Sequence, residues 1–212
     1  MRDALELIQV CQDLAAAGLM PGTSGNVSLR TNQGFLITPS GVPWHALQSS
    51  DLVDLESDGS PVRARTAVPS SEWRIHCDVY ARRPDVNAIV HTHSRFATVI
   101  SCLRKAIPAV HYLIAYAGAP VVRCADYATY GTADLSANAL VALGGAKACL
   151  LANHGLVAVG ESLAEAAKVA SEIENVAALY WHALQVGPPV LLDDEEIMRV
   201  AKKLKTYGQK AP

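Results

Sequence analysis

The chain has 212 residues, of which 50% are hydrophobic and 18% are charged. A chain of this size and apolar content can bury about 70% of its unfolded surface, so we expect a single domain over residues 1–212. The 18 basic and 20 acidic residues give a formal net charge of -2, without the excess of Lys and Arg that marks a nucleic-acid-binding protein. The charged fraction lies below the usual value of about 25%, and we therefore expect some surface to be shared between copies of the chain.

Location and membrane contact follow from three features of the sequence. The N-terminal residues include Asp3 and Glu6 where a signal peptide has a basic and then an apolar run, so no export is expected. The candidate membrane span, the uncharged residues 106–122, contains Pro108 and Pro120 and is expected to form a buried strand and loops instead. The 5 cysteines, without a CxxC pair, indicate core positions in a reducing compartment. We expect a cytoplasmic protein that binds neither membrane nor nucleic acid.

The spacing of apolar residues predicts the elements of the first half of the chain. A helix is predicted at residues 3–17, followed by a hairpin of the strands NVSLR and FLIT. A second strand pair, DLVDLES and SPVRAR, is predicted about an Asp-Gly turn. A helix is then expected from Ser71 to Arg83, followed by the apolar strand NAIVHTH.

The second half alternates in the same way. The segment GTADLSANALVALGG predicts a helix, and KACLLA and LVAVG predict strands on either side of His154. A long helix is predicted to start at Ser162, which forms a capping box with Glu165, and DDEEIMRVAKKL predicts a last helix. Because adjacent strands require hairpins as well as crossovers, we expect an α/β fold with a mixed sheet between helical layers.

Two histidines, His91 and His93, end the apolar strand NAIVHTH. Side chains two positions apart on a strand point to the same face, so both imidazoles can bind one cation, although two partly exposed histidines fit the same pattern. His154 lies in a tight turn between two apolar strands and offers a third imidazole. Neutral imidazoles suit zinc best among the common cytosolic metals, and an open fourth position would make such a site catalytic.

Glu72 stands at the start of a predicted helix, directly after Ser70 and Ser71. It is either an acidic residue that the helix dipole favours or part of a site in which the helix N-terminus and the hydroxyls bind an anion. Two more loops, GTSGN and TPSG, have the same glycine and hydroxyl content. Each alone is an ordinary turn signal, but the three together indicate a phosphate site.

Seven motifs in order, GTSGNVS, TPSG, PSSEW, HTH, HYLIAYAG, NHGL and KTYG, resemble those of the class II aldolase/adducin family. The resemblance covers nearly the whole chain and, within the family, is strongest to the L-fuculose-1-phosphate aldolases. It implies a three-layer α/β/α fold on a mixed, mostly antiparallel sheet. It also implies a homotetramer with one zinc ion per subunit and active sites at subunit boundaries.

The resemblance also assigns roles to single residues. It makes His91, His93 and His154 zinc ligands, and it makes Glu72 both a ligand of the resting site and the acid/base once substrate displaces it. Tyr112 corresponds to a tyrosine that donates a proton in the neighbouring subunit's site. Tyr207 corresponds to an aromatic residue of a mobile C-terminal tail. The family's phosphate-binding residues, with Gly25 beside them, correspond to Asn26, Ser40, Gly41, Ser70 and Ser71.

Aldol cleavage fits these residues chemically. The reaction needs a base, an acid and an electron sink, and no lysine stands in an obvious Schiff-base position, so a metal ion is the expected sink. The expected reaction cleaves a ketose 1-phosphate to dihydroxyacetone phosphate and an aldehyde. Related alternatives are a ribulose-phosphate 4-epimerase, which typically has Asp in place of Glu72, a methylthioribulose-phosphate aldolase or dehydratase, and a tetronate-phosphate decarboxylase. A non-catalytic adducin-like module is a further alternative.

Overall fold

The computed structural model of the chain describes residues 2–62, 67–204 and 206. In this part, six α-helices surround one seven-stranded sheet. The helices are α1 (Arg2–Ala16), α2 (Trp73–Arg82), α3 (Arg95–Cys102), α4 (Ala133–Leu143), α5 (Leu163–Val186) and α6 (Asp194–Leu204). The strands are β1 (Asn26–Arg30), β2 (Gly34–Ile37), β3 (Val53–Glu56), β4 (Ala88–Thr92), β5 (Cys124–Ala125), β6 (Ala148–Leu151) and β7 (Gly155–Gly160).

The strand order across the sheet is β3-β2-β1-β4-β7-β6-β5. All neighbouring strands are antiparallel except β5 and β6, which are parallel. Helices α1, α3 and α5 pack on one face of the sheet, and α2 and α4 pack on the other. The expectation of an α/β/α arrangement on a mixed, mostly antiparallel sheet is confirmed.

Strand β4 lies in the middle of the sheet and is buried on both faces. Ala88 and Val90 face the α1, α3 and α5 layer, whereas Ile89 faces the α2 and α4 layer. Since both faces are covered, the strand is a continuous apolar run rather than an alternating one. By the same alternation, His91 points toward the α2 side of the sheet.

The predicted capping box at the start of α5 is present in part. The Ser162 hydroxyl accepts a hydrogen bond from the Glu165 amide at 3.2 Å, as predicted. The Glu165 carboxylate accepts from the amide of Glu161 at 2.7 Å and pairs with Lys147, 2.5 Å away. The acidic side chain therefore caps the turn before the helix and also ties α5 to the start of β6.

Several segments differ from the sequence predictions. The expected strand after β3 is an isolated bridge between Leu55 and Pro61, and residues 63–66 lie outside the described part. The stretch 106–122 contains a short 3-10 helix, Tyr112–Ala117, where a strand was expected. Helix α3 was not predicted, because its eight residues are too few to show a helical period.

Over the described residues, no helix is both long and apolar enough to cross a membrane. All five cysteines are free; Cys11, Cys77 and Cys149 are buried as expected, whereas Cys124 is partly buried and Cys102 is exposed.

Candidate metal centre and substrate cavity

Three imidazoles meet at one end of the two central strands. His91 is in β4, His93 follows its last residue, and His154 precedes β7. Because β4 pairs with β7 in the register Thr92 to Leu156, residues just after β4 lie beside those just before β7. The pairing of the strands thus brings together histidines that are about 60 residues apart in the sequence.

The turn that carries His154 is held by several backbone contacts. The His154 amide donates to the Leu151 carbonyl at 3.1 Å and lies 3.3 Å from the Ser101 hydroxyl. Asn153 adopts a left-handed conformation with φ 54°, which asparagine tolerates better than most residues. These contacts hold the backbone from which the imidazole projects.

Glu72 completes a four-residue cluster with the three histidines. Its Oε2 lies 3.2 Å from Nε2 of His91, and its Oε1 lies 3.3 Å from Nε2 of His154. Nε2 of His91 and Nε2 of His93 are 3.0 Å apart. One ligand atom from each of the four residues lies within 4.8 Å of every other.

The charges of the cluster are strongly coupled. Burial alone would raise the pKa of Glu72, but the neighbouring imidazoles outweigh it and lower the pKa to about 2. Burial and the neighbouring His91 lower the pKa of His93 and of His154 to about 4. Burial would also lower the pKa of His91, but the Glu72 carboxylate beside it raises the pKa above its ordinary value. At neutral pH the cluster therefore offers an ionised carboxylate and at least two neutral imidazoles.

The four residues fit a transition-metal ion. Oε1 of Glu72 is buried and forms no hydrogen bond with any described residue. The Nδ1–H of His91 donates to the Leu156 carbonyl at 2.9 Å. In the neutral ring, Nε2 then carries no proton and faces the cluster as a free ligand atom. Ligands about 2.0–2.2 Å from a tetrahedral ion lie roughly 3.3 Å apart, close to the separations seen here. Three imidazoles and one carboxylate form the donor set of a zinc-type site.

A cavity of about 330 Å³ opens beside this cluster. Its walls include Glu72, His93 and His154, whereas His91 is buried behind them. The cavity is also lined by the six residues that the family resemblance associated with phosphate binding: Gly25, Asn26, Ser40, Gly41, Ser70 and Ser71.

Two of the three hydroxyl-containing loops, those of Ser40 and of Ser70 and Ser71, are joined by backbone pairing. Ser40 donates its amide to the Val68 carbonyl at 2.9 Å, and Ser70 donates its amide to the Thr38 carbonyl at 3.0 Å. Of the described residues that line the cavity, none is Lys or Arg. An anion in this cavity would therefore be bound by hydroxyls and backbone amides rather than by cationic side chains.

Several cavity residues were missed by the sequence reasoning. Tyr127 and Tyr130 are more than half exposed and form part of the wall with Ala128. Their segment lies close to the loop of Ser70 and Ser71, since a Cβ added to Gly131 would lie 2.9 Å from the Ser71 carbonyl oxygen. One feature of the sequence could have identified them. Two large aromatic residues stand close together in a short turn-rich segment, whereas tyrosine is usually at least partly buried.

Comparison with known proteins agrees with this geometry. Residues 5–181 match the family model described as Class II Aldolase and Adducin N-terminal domain. A 5-methylthioribulose-1-phosphate/5-deoxyribulose-1-phosphate aldolase from Rhodospirillum rubrum is 48% identical over 97% of this chain and 92% of its own length. The chain belongs to the class II aldolase and adducin family.

Two further members of the class II aldolase and adducin family show how far the likeness extends. The L-fuculose phosphate aldolase of Escherichia coli K12 is 45% identical over 97% of this chain and 95% of its own length. A solved structure of an L-fuculose 1-phosphate aldolase has a TM-score of 0.93 at 42% identity and covers 96% of both chains. The likeness thus extends over nearly the whole length of the chain.

One residue that the family resemblance singled out does not line this cavity. Tyr112 begins the 3-10 helix, is 46% exposed and packs against the His111 ring, with centroids 4.5 Å apart. Tyr207 lies outside the described residues. A role for Tyr112 in catalysis therefore requires another copy of the chain, as the resemblance implies.

Proposed function

We propose that this protein is a metal-dependent class II aldolase, a lyase that reversibly cleaves a ketose 1-phosphate to dihydroxyacetone phosphate and an aldehyde. The observation that carries the proposal is the cluster of Glu72 and three imidazoles beside a cavity formed by loops rich in glycine and hydroxyls. The family members named above are aldolases that act on sugar 1-phosphates. A single domain over residues 1–212 would contain the complete set of site residues.

The metal is proposed to be zinc, one ion per subunit, held by His91, His93, His154 and Glu72. When bound, it supplies Lewis-acid stabilisation of the negative charge that develops on the carbonyl oxygen of dihydroxyacetone phosphate. The donor set supports zinc because imidazole nitrogens with one carboxylate match its ligand preferences. The low pKa values of His93 and His154 support the same assignment, since both rings are neutral, and thus able to ligate, at neutral pH.

The acid and base are proposed to be Tyr112 and Glu72. In the synthetic direction, Glu72 removes a proton from the hydroxymethyl carbon of dihydroxyacetone phosphate, and the new carbon–carbon bond then forms to the aldehyde. Tyr112 of a neighbouring subunit donates its phenolic proton to the aldehyde oxygen, and cleavage reverses both transfers. The phosphate is bound by Asn26, Ser40, Ser70 and Ser71 and the backbone around Gly25 and Gly41, so binding energy far from the reacting carbons positions them.

The substrate is proposed to be a ketose 1-phosphate with an apolar far end. The relatives' names describe sugars that end in a methyl or methylthio group, namely fuculose, 5-deoxyribulose and 5-methylthioribulose. Tyr127, Ala128 and Tyr130 add aromatic and apolar surface to a cavity otherwise rich in polar groups. Such a surface favours an aldehyde that ends in an apolar group.

The assembly is proposed to be a homotetramer in the cytoplasm, with active sites at subunit boundaries. The exposure of Tyr112, together with the low charged fraction, supports contact between copies of the chain. The free cysteines support a reducing compartment.

Product analysis tests the function. Purified protein is incubated with L-fuculose 1-phosphate, 5-deoxyribulose 1-phosphate and 5-methylthioribulose 1-phosphate, and dihydroxyacetone phosphate is measured. We expect its release from at least one of them, abolished by a chelator and restored by zinc. Epimerised pentose phosphate, released carbon dioxide or loss of water without cleavage would instead identify one of the related enzymes. No turnover together with no bound metal would indicate an adducin-like module.

A further inference from the structure

A chain of buried polar side chains leads from Glu72 into the interface between β1 and α2. Asn26 Nδ2 donates to Glu72 Oε2 at 3.2 Å, and Asn26 Oδ1 lies 2.5 Å from Nε2 of His76. Nδ1 of His76 lies 2.6 Å from the Ser28 hydroxyl, which lies 2.7 Å from the Tyr80 hydroxyl. All five side chains are buried. Because buried polar groups are costly unless hydrogen-bonded, these contacts constrain one another.

The spacing of these residues explains why they meet. Asn26 and Ser28 are two positions apart on β1 and face α2, since Val27 between them faces the opposite layer. Glu72, His76 and Tyr80 are four positions apart, which places them along one side of α2 and its N-terminal cap. One polar stripe on the helix therefore lies against one polar stripe on the strand.

The ionised carboxylate sets the direction of every hydrogen bond in the chain. A carboxylate only accepts, so Asn26 must turn its NH₂ group toward Glu72 and its oxygen toward His76. Nε2 of His76 must then carry the ring proton, and Nδ1 accepts from the Ser28 hydroxyl. Ser28 in turn accepts from Tyr80. Burial and the nearby His91 lower the pKa of His76 to about 3, so the ring stays neutral with this single proton.

We propose that His76 is a positioning residue whose Nε2–H form holds the Asn26 amide in the orientation that occupies Oε2 of Glu72 and leaves Oε1 free for the metal cluster. The effect on catalysis rests on the function proposed above for Glu72, whereas the ring tautomer and the amide orientation do not. The contacts of the two carboxylate oxygens differ accordingly: Oε2 accepts from Asn26, and Oε1 is without a hydrogen bond within the described structure.

The opposite arrangement is unfavourable at each contact. If His76 carried its proton on Nδ1, its Nε2 would be an acceptor facing the Asn26 oxygen. The amide would then have to rotate, which would place its oxygen about as close to Oε2 of Glu72 as Nδ2 now is. Two acceptors facing each other in a buried site repel, so the tautomer of His76 and the orientation of Asn26 are coupled.

The tautomer is measured directly by nitrogen NMR of protein labelled at histidine, in the metal-free and zinc-loaded forms. The His76 signals are assigned as those missing from the His76→Gln variant. We expect His76 to be the Nε2–H tautomer, with shifts that stay constant between about pH 5.5 and 8.5. An Nδ1–H tautomer, or a ring that titrates in this range, would overturn the proposal whatever reaction the enzyme catalyses.

Two matched variants test the effect on Glu72. The amide of His76→Gln reaches the position of Nε2 and can still donate to Asn26, whereas that of His76→Asn reaches only the position of Nδ1. The readout is exchange of the hydroxymethyl proton of dihydroxyacetone phosphate with solvent. We expect His76→Asn to reduce the maximal exchange rate at least about tenfold more than His76→Gln, with KM and zinc content within about twofold of each other.

The outcomes separate this proposal from the proposed function. Equal exchange rates in the two variants would show that His76 is only a packing residue. The same conclusion would follow if the decrease in exchange rate tracked the decrease in melting temperature rather than the loss of the hydrogen-bond donor to Asn26. If the wild-type protein does not exchange the proton at all, the proposed function fails, and the NMR measurement alone still decides the state of His76.

Discussion

Gly25 lies directly against the backbone of His91. A Cβ added to Gly25 would be 2.5 Å from the His91 carbonyl oxygen, and the φ of Gly25 is +86°. The loop that approaches the cavity and the strand that carries two of the imidazoles are therefore in contact with no room for a side chain. The neighbouring pair Asn26 and His91 continues this contact in the register of β1 with β4.

Gly25→Ala should consequently destabilise the protein and disturb the cluster. Gly22→Ala is the matched control, because Gly22 also has positive φ, +63°, but a Cβ there meets nothing within 4 Å. We expect Gly22→Ala to cost roughly 1–2 kcal/mol of unfolding free energy from backbone strain. Gly25→Ala should cost roughly 1–3 kcal/mol more, because the strand must shift to relieve the overlap. Urea denaturation measures both, and equal costs would contradict the close contact.

Replacing His93 with Ala should remove the bound metal. His93 contributes an imidazole 3.0 Å from that of His91, and the remaining ligands leave the ion more open to water. We expect about one zinc ion per chain in the wild type and less than about a tenth of that in the variant, measured by elemental analysis. His45→Ala, at an exposed histidine outside the cluster, should keep full occupancy. Wild-type protein without a transition metal, and with activity indifferent to chelators, would refute the cluster as a metal site.

Glu72→Gln should abolish proton abstraction while preserving the fold. The amide keeps the shape of the side chain but removes the base, for which a loss of about 10²–10⁴ in rate is expected. The measurement is deuterium exchange at the hydroxymethyl carbon of dihydroxyacetone phosphate, followed by proton NMR. Glu161→Gln, at an exposed position, serves as the control. If Glu72→Gln exchanged the proton as fast as wild type, Glu72 would not be the base.

Tyr112→Phe should slow the chemistry and leave zinc content and assembly unchanged. Tyr112 is 46% exposed and does not line the cavity of its own chain, so we expect it to act at the cavity of another subunit. Mixing the slow Tyr112→Phe subunits with Glu72→Gln subunits should raise the activity above the sum of the two variants measured separately, because some interfaces then pair an intact Glu72 with an intact Tyr112.

The control for this experiment mixes Glu72→Gln with His93→Ala, which damage the same half of the site and should not complement each other. Subunit exchange is verified by native mass spectrometry. Exchange without recovery in the first mixture would show that Tyr112 does not act across the interface.

His76 should make the metal-free protein less stable in acid. The folded pKa of His76 is about 3, whereas a histidine in the unfolded chain has a pKa of about 6.5. Between these values the unfolded state binds the additional proton, so the contribution of His76 to stability falls as the pH decreases from about 6.5 toward 3. Between pH 6 and 4, the unfolding free energy of His76→Gln should therefore decrease by about 1 kcal/mol less per pH unit than that of the wild type. Urea midpoints at several pH values measure the two slopes, and parallel slopes would contradict a neutral His76.

The sequence alone determined the local chemistry of this protein. The HTH pair on an apolar strand, the histidine in the turn before β7 and the glycine and hydroxyl loops all follow from patterns within a few residues, and each lies at the cavity or cluster. The layers of the fold were also predictable, since apolar periodicity and helix caps are local properties.

Only the tertiary structure decided which of these residues act together. The register of β1, β4 and β7 and the docking of α2 on the sheet bring Asn26, Glu72 and His154 into one site, and no local period encodes such long-range pairing. The same packing buries His76 and so determines its protonation, turns Tyr127 and Tyr130 to the cavity wall, and leaves Tyr112 outside it. These properties depend on burial and on neighbours distant in sequence, which arise only when the chain has folded.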